Sequence, residues 1–223
     1  MRALRRQKVD AVLDRRQPDL TVLAESLHKP RNFSAIVRSC DAVGINELHA
    51  VPGESGLAIH WKTSQGAEKW VRVRPHEDVR SACSHLRAQG FQLVAANPAP
   101  GAVDYREFDF TAPVALMVGT ELFGVSDAAL AEADQQVSLP MKGMTQSLNV
   151  SVACAIVLYE AMRQREAAGM YAQRRLEEPE WSRQRLEWLY PQVARFCRER
   201  GFEYPQLDEA GKVIGDFPRG RPS

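Results

Sequence analysis

The sequence has few cysteines and no pattern among them. Cys40, Cys83, Cys154 and Cys197 lie far apart with no C-x-x-C pair, and no two histidines stand at ligand spacing. This argues against a disulfide framework and against a metal centre, so no metal is expected. Three of the cysteines fall on apolar helical faces and read as buried, reduced thiols. No apolar run is long enough to cross a bilayer, and there is no signal-peptide core; cytoplasm is the expected location. Nucleotide-binding signatures are missing as well. No G-x-G-x-x-G follows a predicted strand, which argues against a dinucleotide-binding unit. Gly119-Thr120-Glu121-Leu122-Phe123-Gly124-Val125-Ser126 has the spacing of a phosphate-binding loop, but valine stands where lysine must reach the β/γ-phosphates. No G-x-S-x-G elbow surrounds Ser147, so hydrolase chemistry has no support there. There is no internal repeat and no low-complexity segment.

What is present fits one domain with substantial extensions, or at most two small domains, in 223 residues. The formal net charge of +1 hides an uneven distribution. Six basic residues against two aspartates give residues 1–16 a net charge of +4. A second cluster, Arg163, Arg165, Arg174 and Arg175, comes late in the chain. Such clusters are commonly solvated helix faces; flanking a nearly neutral middle, they also suit a grip on nucleic-acid phosphates.

In chain order, Leu4, Val9, Val12 and Leu13 among charges predict a short amphipathic helix, ended at Gln17-Pro18. Leu20–Ala24 reads as a buried strand. Asn32 is a candidate N-cap for a helix over 32–43, whose stripe is Phe33, Ile36, Val37, Cys40 and Val43. At about 100° per residue, Arg38 points away from that stripe, toward solvent, a ligand or a partner chain. Strands follow at 47–51 and 70–73, a helix over 76–89, and strands at 91–96 and 113–118. The last is the most continuous apolar run and the expected centre of a parallel sheet. A short helix over 125–134 leads to a strand at 136–139. Strands alternating with helices predict an α/β fold, a mostly parallel sheet with helices on both faces.

Leu139–Asn149 joins that last strand to an apolar helix from Val150. Polar side chains and free amides at the mouth of a buried helix suit a ligand, although Ser147 can equally be an ordinary cap.

These segments carry a resemblance. His28-Lys29-Pro30-Arg31-Asn32 through Arg38 with Asp41-Ala42-Val43-Gly44, then Val118-Gly119-Thr120-Glu121 with Gly124-Val125-Ser126, then Leu139-Pro140-Met141 and Gln146–Ala153 occur in this order. Together they resemble the three motifs of the SpoU (TrmH) family of S-adenosylmethionine-dependent RNA methyltransferases, within the SPOUT superfamily. The similarity spans roughly residues 3–175.

The resemblance implies a deep trefoil knot within about 91–165, a SPOUT domain over 19–168, a basic N-terminal helix over 1–18 that contacts RNA, and a C-terminal extension over 169–223 made of a helix and a loosely ordered tail. It implies an obligate homodimer with its S-adenosyl-L-methionine sites at the interface. Ala96, Gly119, Leu139, Met141 and Leu148 would hold the cofactor, and Arg38 with Asn32, Glu121, Ser147 and Asn149 would serve the reacting ribose. Glu121 either orients Arg38 or pins its loop; Asn32, Ser147 and Asn149 have capping as their structural alternative. Arg16, Arg31, Arg163, Arg165 and Arg174 would hold RNA phosphates. Ala96 stands where some relatives carry a hydroxyl, and Lys142 and Thr145 stand where relatives are often apolar. The extensions point to the branch that methylates a guanosine ribose in the D-loop of tRNA. The alternatives are another RNA, such as ribosomal RNA, or an RNA-binding protein without catalysis.

Overall fold

The computed structural model describes residues 3–27, 29–53, 64–120 and 123–214. Among these residues seven strands form: β1 (Leu20–Glu25), β2 (Glu47–Val51), β3 (Arg72–Pro75), β4 (Gln92–Ala96), β5 (Val103–Asp104), β6 (Val114–Val118) and β7 (Gln135–Ser138). They form one sheet in the order β3-β2-β1-β6-β4-β7-β5, and every pairing in it is parallel. The apolar run at 113–118 does become the middle strand, with Leu20–Ala24 on one side and Gln92–Ala95 on the other.

Both faces of the sheet are covered, as a continuous apolar strand requires. Side chains alternate along a strand. Leu20, Val22 and Ala24 of β1 and Val114, Leu116 and Val118 of β6 therefore share one core with α2 (Pro30–Ala42) and α5 (Val150–Ala167). Leu23, Ala115 and Met117 share the other with α3 (Val79–Ala88) and α4 (Asp127–Glu132). The four cysteines are buried and free, as expected.

The helix starts correct two expectations. Asn32 does not cap α2: the helix begins at Pro30, with Lys29 at the cap and no side-chain cap bond. Proline's fixed φ and missing N–H suit a first helical position, so Asn32 becomes the third residue of the helix, 8% exposed. Ser147 does not cap α5 either. The cap is Asn149, whose Oδ1 accepts from the Ser151 amide at 2.9 Å and from its hydroxyl at 2.7 Å. Gly44 ends α2 with φ +82°, a left-handed conformation that glycine adopts without strain. Two strand or helix boundaries move by a few residues: β3 starts at Arg72 because Ala67–Lys69 forms a 3-10 turn first, and α3 starts at Val79 behind an Asp78–Ser81 capping box.

Arg165 of α5 is a further correction. Expected to hold RNA phosphate, it is fully buried, and all five guanidinium N–H groups are used. Nε donates to the Phe110 carbonyl at 2.8 Å. Nη1 donates to Gln17 Oε1 at 3.2 Å and Asp19 Oδ1 at 2.7 Å; Nη2 donates to the Asp19 and Ala112 carbonyls at 3.1 and 2.8 Å. The residue is an internal clamp on the segments leading into β1 and β6.

Residues 1–16 and 173–223 make one compact unit, and Gln17–Ala172 makes another. The terminal unit contains α1 (Ala3–Leu13), α6 (Glu180–Leu189) and α7 (Pro191–Arg200). Arg185 grips the Asp10 carboxylate at 2.7 and 3.1 Å, Trp181 Nε1 donates to Asp14 at 3.0 Å, and Arg5 donates to the Trp188 carbonyl at 3.1 Å. Arg16 is fully buried, its guanidinium over the Trp188 ring at 5.1 Å. This cation–π seat removes it from the set of RNA-facing arginines. Leu4, expected on the apolar face of α1, is 78% exposed. Beyond α7 the chain is still tied down: Tyr190 Oη donates to the Gly211 carbonyl at 2.8 Å.

Candidate active site

Three loops leave the carboxyl ends of β4, β6 and β7, where open α/β sheets bind ligands. Together they line a cleft of about 530 Å³, a volume suited to a small organic ligand. Ala96, Gly119, Leu139, Met141 and Leu148, the five cofactor candidates, all line it, as do Ser147 and Asn149.

The β6 loop shows why its glycine is there. A Cβ on Gly119 would fall 2.5 Å from Val125 Cα and closer still to the Gly124 carbonyl. Thr120 and Gly124 close the loop with mutual backbone hydrogen bonds of 2.8 and 2.9 Å, and Thr120 Oγ1 accepts from the Phe123 amide at 3.0 Å. Behind it, the Glu25 carboxylate accepts from the Ser126 hydroxyl at 2.7 Å and its amide at 3.2 Å. Ser126 in turn caps α4. The described ends of the phosphate-loop-like stretch are thus closed by backbone at Thr120 and Gly124 and pinned from β1 at Ser126. Glu121 lies outside the described residues.

The β7 loop is held more lightly. Thr145 Oγ1 donates to the Ser147 carbonyl at 2.9 Å, which gives that residue a place in the loop's own structure. Ser147 and Lys142 are exposed, and Leu148 is 37% exposed.

Asn149 links this loop to α2, because its Nδ2 donates to Asn32 Oδ1 at 3.2 Å. Two residues 117 apart in sequence thus meet through one amide pair. Asn149→Ala is expected to lower stability by about 1 kcal/mol through the lost cap. Thermal unfolding checks this, and an unchanged midpoint would show that Ser151 does not depend on the cap.

Arg38 stands apart. It is exposed on α2 and is not among the cleft-lining residues. Arg31, Arg163 and Arg174 are also exposed. Arg163 is paired with Glu160 at 2.7 Å, whereas Arg174 pairs with Glu178 at 3.2 Å and lies over the Trp181 ring. Exposed pairs of this kind are weak and exchange readily for a phosphate. Lys29, Asn97 and Thr120 line the cleft too. Sequence reading passed over them, although each sits beside a residue it did select or in a loop at a strand's carboxyl end.

Comparison with known proteins agrees with this geometry. The description "SpoU rRNA Methylase family" matches residues 19–159, and "SpoU, rRNA methylase, C-terminal" matches residues 163–216. The chain is 44% identical over 218 residues to an Escherichia coli (strain K12) protein named tRNA (guanosine(18)-2'-O)-methyltransferase, covering 97% of this chain and 95% of that one. It is 49% identical over 185 residues to a protein of the same name from Thermus thermophilus, covering 83% and 95%. The crystal structure of the Aquifex aeolicus TrmH/SpoU tRNA modifying enzyme superposes with a TM-score of 0.80 at 42% identity, over 85% of this chain and 97% of that one. The SpoU methyltransferase AviRb from Streptomyces viridochromogenes, solved with the cofactor AdoMet, superposes with a TM-score of 0.58 at 31% identity, over 69% and 59% of the two chains. Two of the three loops around the cleft, those after β6 and β7, carry motifs of the family, and the chain is matched almost end to end: it belongs to the SpoU methylase family.

Proposed function

We propose that the protein transfers a methyl group from S-adenosyl-L-methionine to the ribose 2'-hydroxyl of the D-loop guanosine at tRNA position 18. The carrying observation is that all five cofactor candidates line one cleft in a chain 44–49% identical to proteins named for this reaction. The cofactor supplies a methyl that is already electrophilic.

The chain's own residues must bind it, aim the hydroxyl and help the proton leave. The bare turn at Gly119 lets backbone approach the bound molecule without a side chain between. The Asn32–Asn149 amide pair presents a polar edge at the mouth of α5 that fits a ribose. Arg38 acts in its charged form, since arginine does not deprotonate in proteins. Its fork grips the phosphate beside the reacting ribose and stabilises the oxygen as it loses its proton. Arg31, Arg163 and Arg174 hold phosphates elsewhere on the RNA.

The site is completed in a homodimer, in which Arg38 reaches a neighbouring cleft. Two observations support this: Arg38 lies outside its own cleft, and Val152 and Tyr159, one face of α5, are 46% and 50% exposed. The β4–α5 segment is threaded as the trefoil knot of the family, and the protein works in the cytoplasm. Among the described residues, no helix is long and apolar enough to cross a membrane.

The test incubates purified protein with unmodified tRNA, ribosomal RNA and labelled cofactor, and maps the methylated ribose. Label at tRNA position 18 is expected. Label confined to ribosomal RNA, or none at all, overturns the assignment. Arg38→Ala is expected to lower the rate of transfer about 10²–10³-fold, the cost of removing one charge-stabilising donor, with cofactor affinity unchanged. A loss of cofactor affinity instead would place Arg38 in the cofactor's own site.

A further inference from the structure

Three of the chain's five histidines gather on the far half of the sheet, away from the methyl-transfer cleft. They come from three places in the sequence. Glu47 and His49 sit two apart on β2, so both side chains leave the same face of the strand as Val51. That face is covered by α3, whose Val79, Ala82, Cys83 and Leu86 pack with Val51. His85 arrives from α3 and His76 from the residue that follows β3. The ring centroids lie 5.1, 5.4 and 5.5 Å apart.

The hydrogen bonds arrange these groups as ligands. His49 Nδ1 and His76 Nε2 are 2.8 Å apart. When His49 donates there, its Nε2 carries a lone pair, and that atom faces Glu47 Oε1 at 3.7 Å. In that tautomer the Nε2 lone pair and the Glu47 carboxylate, which Arg74 also reaches at 2.6 Å, stand side by side as two potential ligands. One ligand atom each from Glu47, His49 and His85 falls within 4.8 Å of the other two. Bonds of about 2.0–2.2 Å from nitrogen and oxygen to one ion fit that spacing after small rotations.

We propose that Glu47, His49 and His85 bind a divalent transition-metal ion, with water in the fourth position and His76 as the outer partner that fixes the His49 tautomer. Two neutral imidazoles and one carboxylate match the zinc class in ligand type and number. Gln89, 3.2 Å from His85 Nε2, can turn its amide to accept from that nitrogen and leave Nδ1 for the ion. Glu47 is also held by Arg74 at 2.6 Å and Arg72 at 3.5 Å. Both guanidiniums are well exposed, with side chains 44% and 37% accessible, and they swing outward when the carboxylate turns to the ion. The ion ties the β2–β3 edge of the sheet to α3.

The test uses the untagged full-length protein, stripped with a chelator and then dialysed against zinc or cobalt(II). Expected are one equivalent of zinc per chain by elemental analysis, visible cobalt bands of low coordination number without a thiolate charge-transfer band, and a raised unfolding temperature with zinc. His85→Gln, a half-buried helix position whose loss leaves the core intact, is expected to weaken zinc binding at least ~100-fold and to abolish the thermal shift. His76→Gln, one shell further out, is expected to weaken it roughly 10-fold. Substoichiometric zinc in the unaltered protein overturns the proposal, and so does binding that His85→Gln leaves unchanged or a cobalt spectrum with a thiolate band.

Discussion

Arg165→Met is expected to cost about 3–5 kcal/mol of folding stability, the range for breaking a buried ion pair from one side. Methionine fills much of the volume, so the loss is one of hydrogen bonds. The Asp19 carboxylate and the carbonyls of Phe110, Ala112 and Asp19 all lose donors at once. Each buried acceptor left without a partner carries its full desolvation cost. Chemical denaturation with both variants measures this directly. Arg163→Met, two residues away on the exposed face and paired with Glu160, is the control and is expected to stay within about 0.5 kcal/mol. A change under 1 kcal/mol for Arg165→Met would mean that water replaces the guanidinium at its acceptors. The comparison also separates two reasons for lost RNA methylation. Arg165→Met is expected to lower it by unfolding the protein, and Arg163→Met, on the proposed RNA role of that residue, by loosening a phosphate contact.

Gly119→Ala is expected to weaken S-adenosylmethionine binding at least ~100-fold, since displacements near 1 Å in a site can cost that much. The added methyl meets backbone, the Gly124 carbonyl and Val125 Cα, not the yielding tip of a side chain. The turn closed by Thr120 and Gly124 must open, and the amides it presents to the cleft move with it. Titration calorimetry with the cofactor reads the affinity, and circular dichroism confirms that the sheet persists. A change of only a few-fold would show that the turn relaxes without disturbing the cleft, and that Gly119 is required by the loop alone.

Much of the fold could be read from the chain because its signals are local. Val114–Val118 is apolar on both faces, and only a middle parallel strand buries both. The Phe33–Val43 stripe has one period and one buried side. The cofactor candidates were also within reach, because each lies at or after a strand end and all but Ala96 belong to a motif with a fixed order. Charge was the poor guide. Arg16, Arg163, Arg165 and Arg174 look alike in sequence, yet two of them are buried beside partners far away in the chain. Arg165 finds its acceptors 53–55 and 146–148 positions away, and no window of sequence contains that information. Caps failed for a similar reason. Asn32 has a capping side chain, but Pro30 starts the helix first, and the amide meets Asn149 instead. The histidines escaped notice because β2, the end of β3 and α3 bring them together by topology and not by spacing.

The shared unit of residues 1–16 and 173–223 bears on the order of synthesis. Asp10 leaves the ribosome early, but its partner Arg185 follows 175 residues later. Domains form in the order in which they are made, and Gln17–Ala172 is complete before α6 exists. The first helix therefore waits, with Val9 and Leu13 uncovered, until the last helices emerge. At translation speeds of roughly 5–20 residues per second, that interval is about ten seconds or more. During that time α1 is open to chaperones and proteases that the finished protein excludes.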